Sequence, residues 1–137
     1  QFSHKLKLPV GQYQSIGTTY SFECTCKESY IGETKRQLEN RIKEHGHKSG
    51  NSAISDHIYG NTIKNIQPCQ DYLNNITQQF GDQPNPTEKL SFIKNRFKIL
   101  KNGLVNTRDR KSFEAVAITI YKPKLNAQVF HRKVSII

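Results

Sequence analysis

Apolar residues in the first third of the chain occur in short runs that predict a hairpin followed by a helix. Residues 18–22 are rich in β-branched and aromatic side chains, which favour a strand, and residues 30–32 predict a second strand after a tight connection. Leu38, Ile42 and His45 then follow at spacings of four and three, the period of a helix with one buried face. We therefore predict a two-stranded hairpin that leads into an amphipathic helix.

Capping residues and composition mark the elements that follow. Thr34 is placed to cap the first helix, and Ser52 is placed to cap a second, short helix over Ala53–Tyr59. Residues 60–87 are poor in apolar side chains and rich in Asn, Gln and Pro, as insertions and connections usually are. Residues 88–94 predict one further short helix.

The last third of the chain predicts a strand and the longest helix. Residues 97–100 have the composition of a strand, and residues 109–121 have a helical period that Pro123 ends. The apolar face expected on this helix consists of Phe113, Val116, Ala117 and Ile120.

Together these elements predict an α/β domain of the α+β kind, in which helices flank a small, mainly antiparallel sheet of about three strands. We expect the domain to span residues 18–127, with an insertion at about residues 60–92. Residues 1–17 would form a basic lead-in segment. Residues 128–137 would form a tail that either adds a final strand or frays.

The charge of the chain narrows the choice of partner. Lys and Arg outnumber Asp and Glu by 21 to 11, which gives a net charge of +10 and favours a polyanionic partner. No apolar run approaches the length of about eighteen residues that a membrane span needs. The absence of Met predicts a piece of a longer polypeptide. Three cysteines cannot form a complete disulfide framework and favour a reducing, intracellular location.

Ordered motifs carry the candidate chemistry. Thr18-Thr19-Tyr20 is followed by Tyr30-Ile31-Gly32, and a helix with Arg41 and His45 comes next. Glu114 lies on the longest predicted helix. This order resembles the GIY-YIG nuclease superfamily, in which a tripeptide ending in Tyr precedes Tyr-Ile-Gly at this spacing. The second tripeptide is complete here, whereas Thr18 and Thr19 stand where Gly and Ile are usual.

Within that superfamily the chain looks most like the endonuclease domain of Penelope-like retroelements. The closer resemblance is carried by residues 30–34, residues 41–45 and Ser55-Asp56-His57, together with a Cys pair between the two Tyr motifs. It covers roughly residues 18–59 and 95–127.

The resemblance implies an enzyme that cleaves a DNA phosphodiester bond with Mg²⁺ or Mn²⁺. Glu114 would hold the metal, and Arg41 would stabilise the charge that develops on the phosphate. Tyr20 and Tyr30 would transfer or orient protons, and His45 would act as a secondary acid–base group or phosphate contact. The candidate DNA contacts are Lys35, Arg36, Lys43, Lys48 and Asn126. Nicking of this kind would prepare integration and target-primed reverse transcription, which implies a reverse transcriptase region as partner and a nuclear location.

Each of these residues also has a simpler interpretation. Tyr30 on a half-buried strand has the character of a core aromatic residue whose hydroxyl lies at the rim. Arg41 on a charged helix face has the character of a solvated cation. Glu114, between Phe113 and Ala115 on an apolar-rich helix, needs a partner or a metal in either interpretation.

The cysteines and histidines pose a separate question about zinc. Cys24, Cys26 and two of His45, His47 and His57 have the ligand types of a structural Zn²⁺ site, and the resembled family has a Cys-Cys-His-His pattern. Because His45 also matches a catalytic position, His47 and His57 are the expected pair. The alternative is two buried free thiols and exposed histidines.

Cys69 has no partner that the sequence identifies.

Two other functions fit the same sequence. One is a non-catalytic nucleic-acid-binding module whose basic surface is its whole function, and the other is a repair or restriction nuclease of the same fold.

Overall fold

The computed structural model describes residues 13–126. Its elements in chain order are β1 (Thr18–Glu23), β2 (Ser29–Thr34), α1 (Leu38–Gly46), α2 (Ala53–Tyr59), α3 (Gln70–Phe80), α4 (Pro86–Lys94), β3 (Phe97–Lys101) and α5 (Thr107–Tyr121). Most of the expected lead-in segment and the whole expected C-terminal tail lie outside the described residues. None of the helices within residues 13–126 has the length and apolar character needed to cross a membrane.

The three strands form one antiparallel sheet in the order β2-β1-β3, which confirms the predicted α+β fold class. β1 is the central strand, and its residues from Thr18 to Phe22 are all buried. Tyr20 pairs with Gly32 of β2 and with Ile99 of β3, so the two Tyr motifs lie side by side in the sheet.

One hydrophobic core fills the space between this sheet and the helices. Phe22 of β1 and Phe97 of β3 pack with their ring centroids 5.3 Å apart. The predicted stripe of α1, formed by Leu38, Ile42 and His45, is buried against the core as expected from its spacing.

The first helix begins later than its predicted cap. α1 starts at Leu38, and Thr34 stays at the end of β2, where its Oγ1 accepts a hydrogen bond from the Arg36 backbone N–H at 3.2 Å. The cap predicted for α2 is confirmed, because Ser52 and Ser55 form a reciprocal capping box.

The segment expected as an insertion, at about residues 60–92, includes one helix that the sequence did not predict. It contains α3 and most of α4, and the ring of Tyr72 meets that of Phe92 edge-on with centroids 5.0 Å apart. The apolar residues Tyr72, Ile76 and Phe80 recur every four residues, which is a helical period. The Asn and Gln residues between them give the segment a polar composition, and a prediction based on composition therefore overlooked the helical period.

The longest helix is confirmed, but the expected buried face is confirmed only in part, at Ala117. Arg110 and Ala117 are buried, whereas Val116 and Ile120 are 56% and 65% exposed. The guanidinium of Arg110 donates to Glu33 Oε1 of β2 at 2.6 Å. The face of α5 that packs on the sheet is therefore the one that carries Arg110, not the whole apolar stripe.

Candidate active site and metal centre

The tyrosine of the first motif is enclosed in the protein. Tyr20 is fully buried, and its ring packs against that of Phe97 with centroids 5.6 Å apart. Burial raises the pKa of its hydroxyl far above the ordinary range, and the neighbouring Tyr30 raises it further, while the Arg41 guanidinium opposes both. Tyr20 is therefore a neutral hydroxyl at neutral pH.

His45 fixes the position of that hydroxyl. Its Nε2 is hydrogen-bonded to Tyr20 Oη at 2.6 Å, and its Nδ1 is hydrogen-bonded to Ser52 Oγ at 2.8 Å. The Arg41 guanidinium can only donate, so its interaction with Tyr20 Oη directs the hydroxyl proton towards His45 Nε2. Burial, followed by the charge of Arg41, holds the pKa of His45 well below its usual range. The ring is therefore a neutral link between Tyr20 and Ser52.

This geometry changes the role expected for His45. Its side chain is fully buried, so direct contact with a DNA phosphate, as the sequence suggested, is not available to it. Its link to the other candidate residues is the hydrogen bond to the hydroxyl of Tyr20.

Gly32 of the second motif is required by the same arrangement. A Cβ atom at this position would lie 2.5 Å from Tyr20 Oη and 2.8 Å from Tyr30 Cε2. Both distances are far below the separation of about 3.5 Å at which such atoms begin to attract. Only glycine lets the two tyrosine side chains converge over β2.

Tyr30, Arg41 and Glu114 come from three elements and act on one another. Burial of Tyr30, followed by the charge of Glu114, raises the pKa of its hydroxyl, while Arg41 opposes this shift. The ring of Tyr30 meets that of His45 edge-on, with centroids 5.9 Å apart. The charge of Glu114 also raises the pKa of Tyr20. β1, β2 and α5 thus each bring one expected catalytic side chain to this group, and α1 brings two.

Arg41 is oriented by a residue that sequence reasoning missed. Glu44 Oε1 accepts hydrogen bonds from Arg41 Nη1 and from Arg36 Nη2, each at 2.8 Å. The Arg41–Glu44 pair could have been predicted from the sequence, because Glu44 follows Arg41 by three residues on a helix. Arg36, expected to contact DNA, is engaged in this exposed ion pair.

A second carboxylate near Tyr30 is neutralised by two cations. Glu33 Oε1 pairs with Arg110 Nε, and Glu33 Oε2 pairs with Lys111 Nζ, both at 2.6 Å. Burial raises the pKa of Glu33, but the hydrogen bonds from Lys111 and Arg110 outweigh it and lower the pKa overall. Glu33 is therefore a fixed anion that ties α5 to β2.

The residues expected to contact DNA lie in different settings. Lys35, Lys43 and Lys48 are exposed, and Lys43 Nζ lies 3.4 Å from Glu39 Oε2. Asn126 has a structural contact instead of an open amide: its Oδ1 accepts from the Ile31 backbone N–H and its Nδ2 donates to the Ile31 carbonyl, each at 2.7 Å.

A cluster of three cysteines and one histidine lies beneath the β1–β2 turn. Its ligand atoms, from Cys24, Cys26, His57 and Cys69, all lie within 4.8 Å of one another. Cys24 Sγ is 3.7 Å from Cys69 Sγ, and Cys26 Sγ is 3.4 Å from His57 Nε2. A tetrahedral Zn²⁺ with the usual bond lengths separates two sulfurs by about 3.8 Å and a sulfur and a nitrogen by about 3.6 Å. Both of these separations are close to those of such a site.

This cluster corrects the expected zinc ligands. His47 is exposed and hydrogen-bonds to Ser49, so it lies outside the group. Cys69, which had no apparent partner, takes its place. Its backbone N–H donates to the carbonyl of His57, which brings the start of α3 to the end of α2. Sequence spacing could not reveal this, because the fold brings Cys69 to the turn across 43 residues.

Burial keeps Cys24, Cys26 and His57 neutral when no ion is bound. Burial raises the pKa of Cys24 and of Cys26, so without an ion both are thiols. Burial lowers the pKa of His57, which keeps the neutral form that binds metals. His57 Nδ1 lies 3.8 Å from Glu28 Oε1, in the arrangement by which carboxylates orient ligand histidines.

Comparison with protein-family models, with curated proteins and with solved structures finds no match to this chain. The function must therefore be argued from the residues themselves.

Proposed function

We propose that this chain is a divalent-metal-dependent DNA endonuclease. The observation that carries the proposal is the convergence of Tyr20, Tyr30, Arg41 and Glu114 from four separate elements, with mutual effects on their pKa values. A carboxylate can hold the metal, a guanidinium can stabilise the charge on the phosphate, and hydroxyls can transfer protons in metal-assisted cleavage of a phosphodiester.

Glu114 suits the single-carboxylate Mg²⁺ or Mn²⁺ site that the motifs predict. Its carboxylate lies close enough to both tyrosines and to Lys111 to raise the pKa of all three. Glu33, the other acid that acts on Tyr30, is occupied by two cations. Mg²⁺ commonly uses one or two carboxylates and completes its shell with water and phosphate oxygens. When bound, the ion would polarise the scissile phosphate.

The roles that we propose for the remaining side chains follow from how exposed each one is. Arg41, held by Glu44, would direct its guanidinium at the charge that develops on the phosphate. Tyr30 is the tyrosine closer to the surface and would exchange a proton with the attacking water. Tyr20, whose hydroxyl is bound to His45, would position Arg41 and Tyr30 rather than touch the DNA.

We also propose that Cys24, Cys26, His57 and Cys69 hold a structural zinc ion. The site would link the β1–β2 turn to α2 and α3, and so would fix the turn between the two Tyr motifs. Such an ion contributes directly to folding.

In the cell, we propose nuclear nicking that serves integration of a retroelement and target-primed reverse transcription, with a reverse transcriptase region in the same polypeptide. The support is the resemblance of the motifs to Penelope-like endonuclease domains. A repair or restriction nuclease would use the same residues.

A non-catalytic nucleic-acid-binding module is the second candidate. The complete burial of Tyr20 and the net charge of +10 favour it, because a basic surface alone explains binding.

Nicking of supercoiled plasmid by the purified chain separates the two functions. The nuclease produces relaxed or linear plasmid when Mg²⁺ or Mn²⁺ is added and none when the ion is omitted. Binding of DNA without cleavage under either ion contradicts the nuclease and supports the binding module.

A further inference from the structure

A groove with an apolar floor and a basic rim lies on the side of α1 away from Arg41. Lys43 follows Arg41 by two positions, which turns it about 200° around the helix axis. The groove has a volume of about 500 Å³, and Leu90 and Ile93 of α4 and Tyr59 of α2 line its floor. We name it the Tyr59 groove.

The groove continues past Tyr59 into a second depression. This depression has a volume of about 450 Å³ and shares Lys48 and Tyr59 with the first. The hydroxyl of Tyr59 donates to the Gly46 carbonyl at 3.0 Å, which holds the ring in place between the two depressions. Amide side chains line the second depression, among them Asn65 and Gln67. Both volumes fall in the range of about 300–1,000 Å³ that small-molecule sites occupy.

The rim carries uncompensated positive charge. Lys43, Lys48 and Lys89 line the first depression, and no described Asp or Glu lines either depression. Glu39, which pairs with Lys43 at 3.4 Å, is shared with Lys94 at 3.7 Å. Within residues 13–126, Lys48 and Lys89 make no ion pair at 4.0 Å or less.

We propose that the Tyr59 groove binds a single-stranded stretch of the nucleic acid, with one base on each side of Tyr59 and phosphates on Lys48 and Lys89. The inference rests on the proposed nuclease function, because it names the form of its substrate. An aromatic ring between two cavities fits successive unpaired bases, which stack on such rings, whereas the bases of a duplex are already stacked. Amide groups beside the ring suit the hydrogen-bonding edges of a base.

Fluorescence anisotropy tests the proposal in a Glu114→Gln background, with Mg²⁺ present and cleavage removed. The probes are a single-stranded oligonucleotide, a blunt duplex and a duplex with a single-stranded flap. We expect the parent to prefer the single-stranded and flapped probes. Tyr59→Leu should lose about tenfold in affinity for these probes and little for the duplex. Tyr59→Phe, the matched control, keeps the ring and should keep the preference.

Two exposed lysines provide a test that does not depend on the packing of Tyr59. Lys48→Gln with Lys89→Gln should reduce the slope of log affinity against log salt by about one to two on the single-stranded probe. A Tyr59→Leu variant that folds and keeps the full preference overturns the proposal, and so does a double lysine variant with an unchanged slope. Binding of polyglutamate with the same dependence on Tyr59 overturns it in favour of an acidic peptide. Plasmid cleavage by the wild type is scored separately, so a failed groove and a failed nuclease give different results.

Discussion

Replacing Gly32 with Ala tests the convergence of the two tyrosines. The added Cβ would lie 2.5 Å from Tyr20 Oη, roughly 1 Å inside contact distance. Tyr20 has no room to retreat, because Phe97 packs against its ring and His45 holds its hydroxyl. Overpacking of this kind costs about 1–3 kcal/mol. For a domain of this size the loss lowers the Tm by roughly 4 °C per kcal/mol.

The same change should also impair cleavage. Relief of the clash requires movement of the tyrosines, and a misplacement of about 1 Å in an active site costs about a hundredfold in rate. Urea unfolding and plasmid nicking measure the two effects. Gly46→Ala is the control, because its Cβ would lie 3.3 Å from the terminal methyl groups of Ile93, which can shift. A Gly32→Ala protein with stability within about 0.5 kcal/mol of the wild type and full activity would refute the close approach.

Three further predictions concern the zinc ligands, the buried histidine and an orphaned hydroxyl. Elemental analysis should find about one zinc per chain in the wild type and in His47→Gln, and little in Cys69→Ser; retention by Cys69→Ser contradicts the corrected ligand set. Because the pKa of His45 is lower in the folded state, the unfolded state binds a proton first as the pH falls. Stability should therefore decrease below about pH 6.5, by up to about 1.4 kcal/mol per pH unit. His45→Gln should remove that slope in urea unfolding, and an unchanged slope argues against a neutral buried ring. Thr19 Oγ1 is buried without a hydrogen-bond partner among the described residues, so Thr19→Val should raise the unfolding free energy by about 1 kcal/mol; a loss of stability would mean that the hydroxyl is bonded.

The sheet and most helices followed from local patterns in the sequence. Residues 18–22 and Tyr30-Ile31-Gly32 formed the expected hairpin because β-branched and aromatic residues favour a pleated, buried surface. Ser52 capped α2 as predicted, because capping depends on neighbours three residues apart.

Features that depend on distant contacts were not predictable in this way. Arg110 of α5 meets Glu33 across 77 residues, so the apolar stripe predicted the buried Ala117 but not the buried Arg110. Cys69 joins the cysteine cluster through the packing of α3 on α2, which no spacing encodes. The hydrogen bonds of His45 to Tyr20 and Ser52 likewise depend on the tertiary fold, although its burial on α1 was clear from the sequence.

The central claim is that Glu114 serves a metal-dependent cutting site rather than the folding or DNA binding of the chain. The most direct measurement is the plasmid-nicking rate of Glu114→Gln in Mg²⁺, with the DNA affinity measured in parallel. Asp109→Asn, which removes one acid from the exposed side of the same helix, is the matched control. We expect Glu114→Gln to lose at least about 10³-fold in rate with nearly unchanged affinity, and Asp109→Asn to cleave like the wild type. Substantial metal-dependent cleavage by Glu114→Gln would contradict the account.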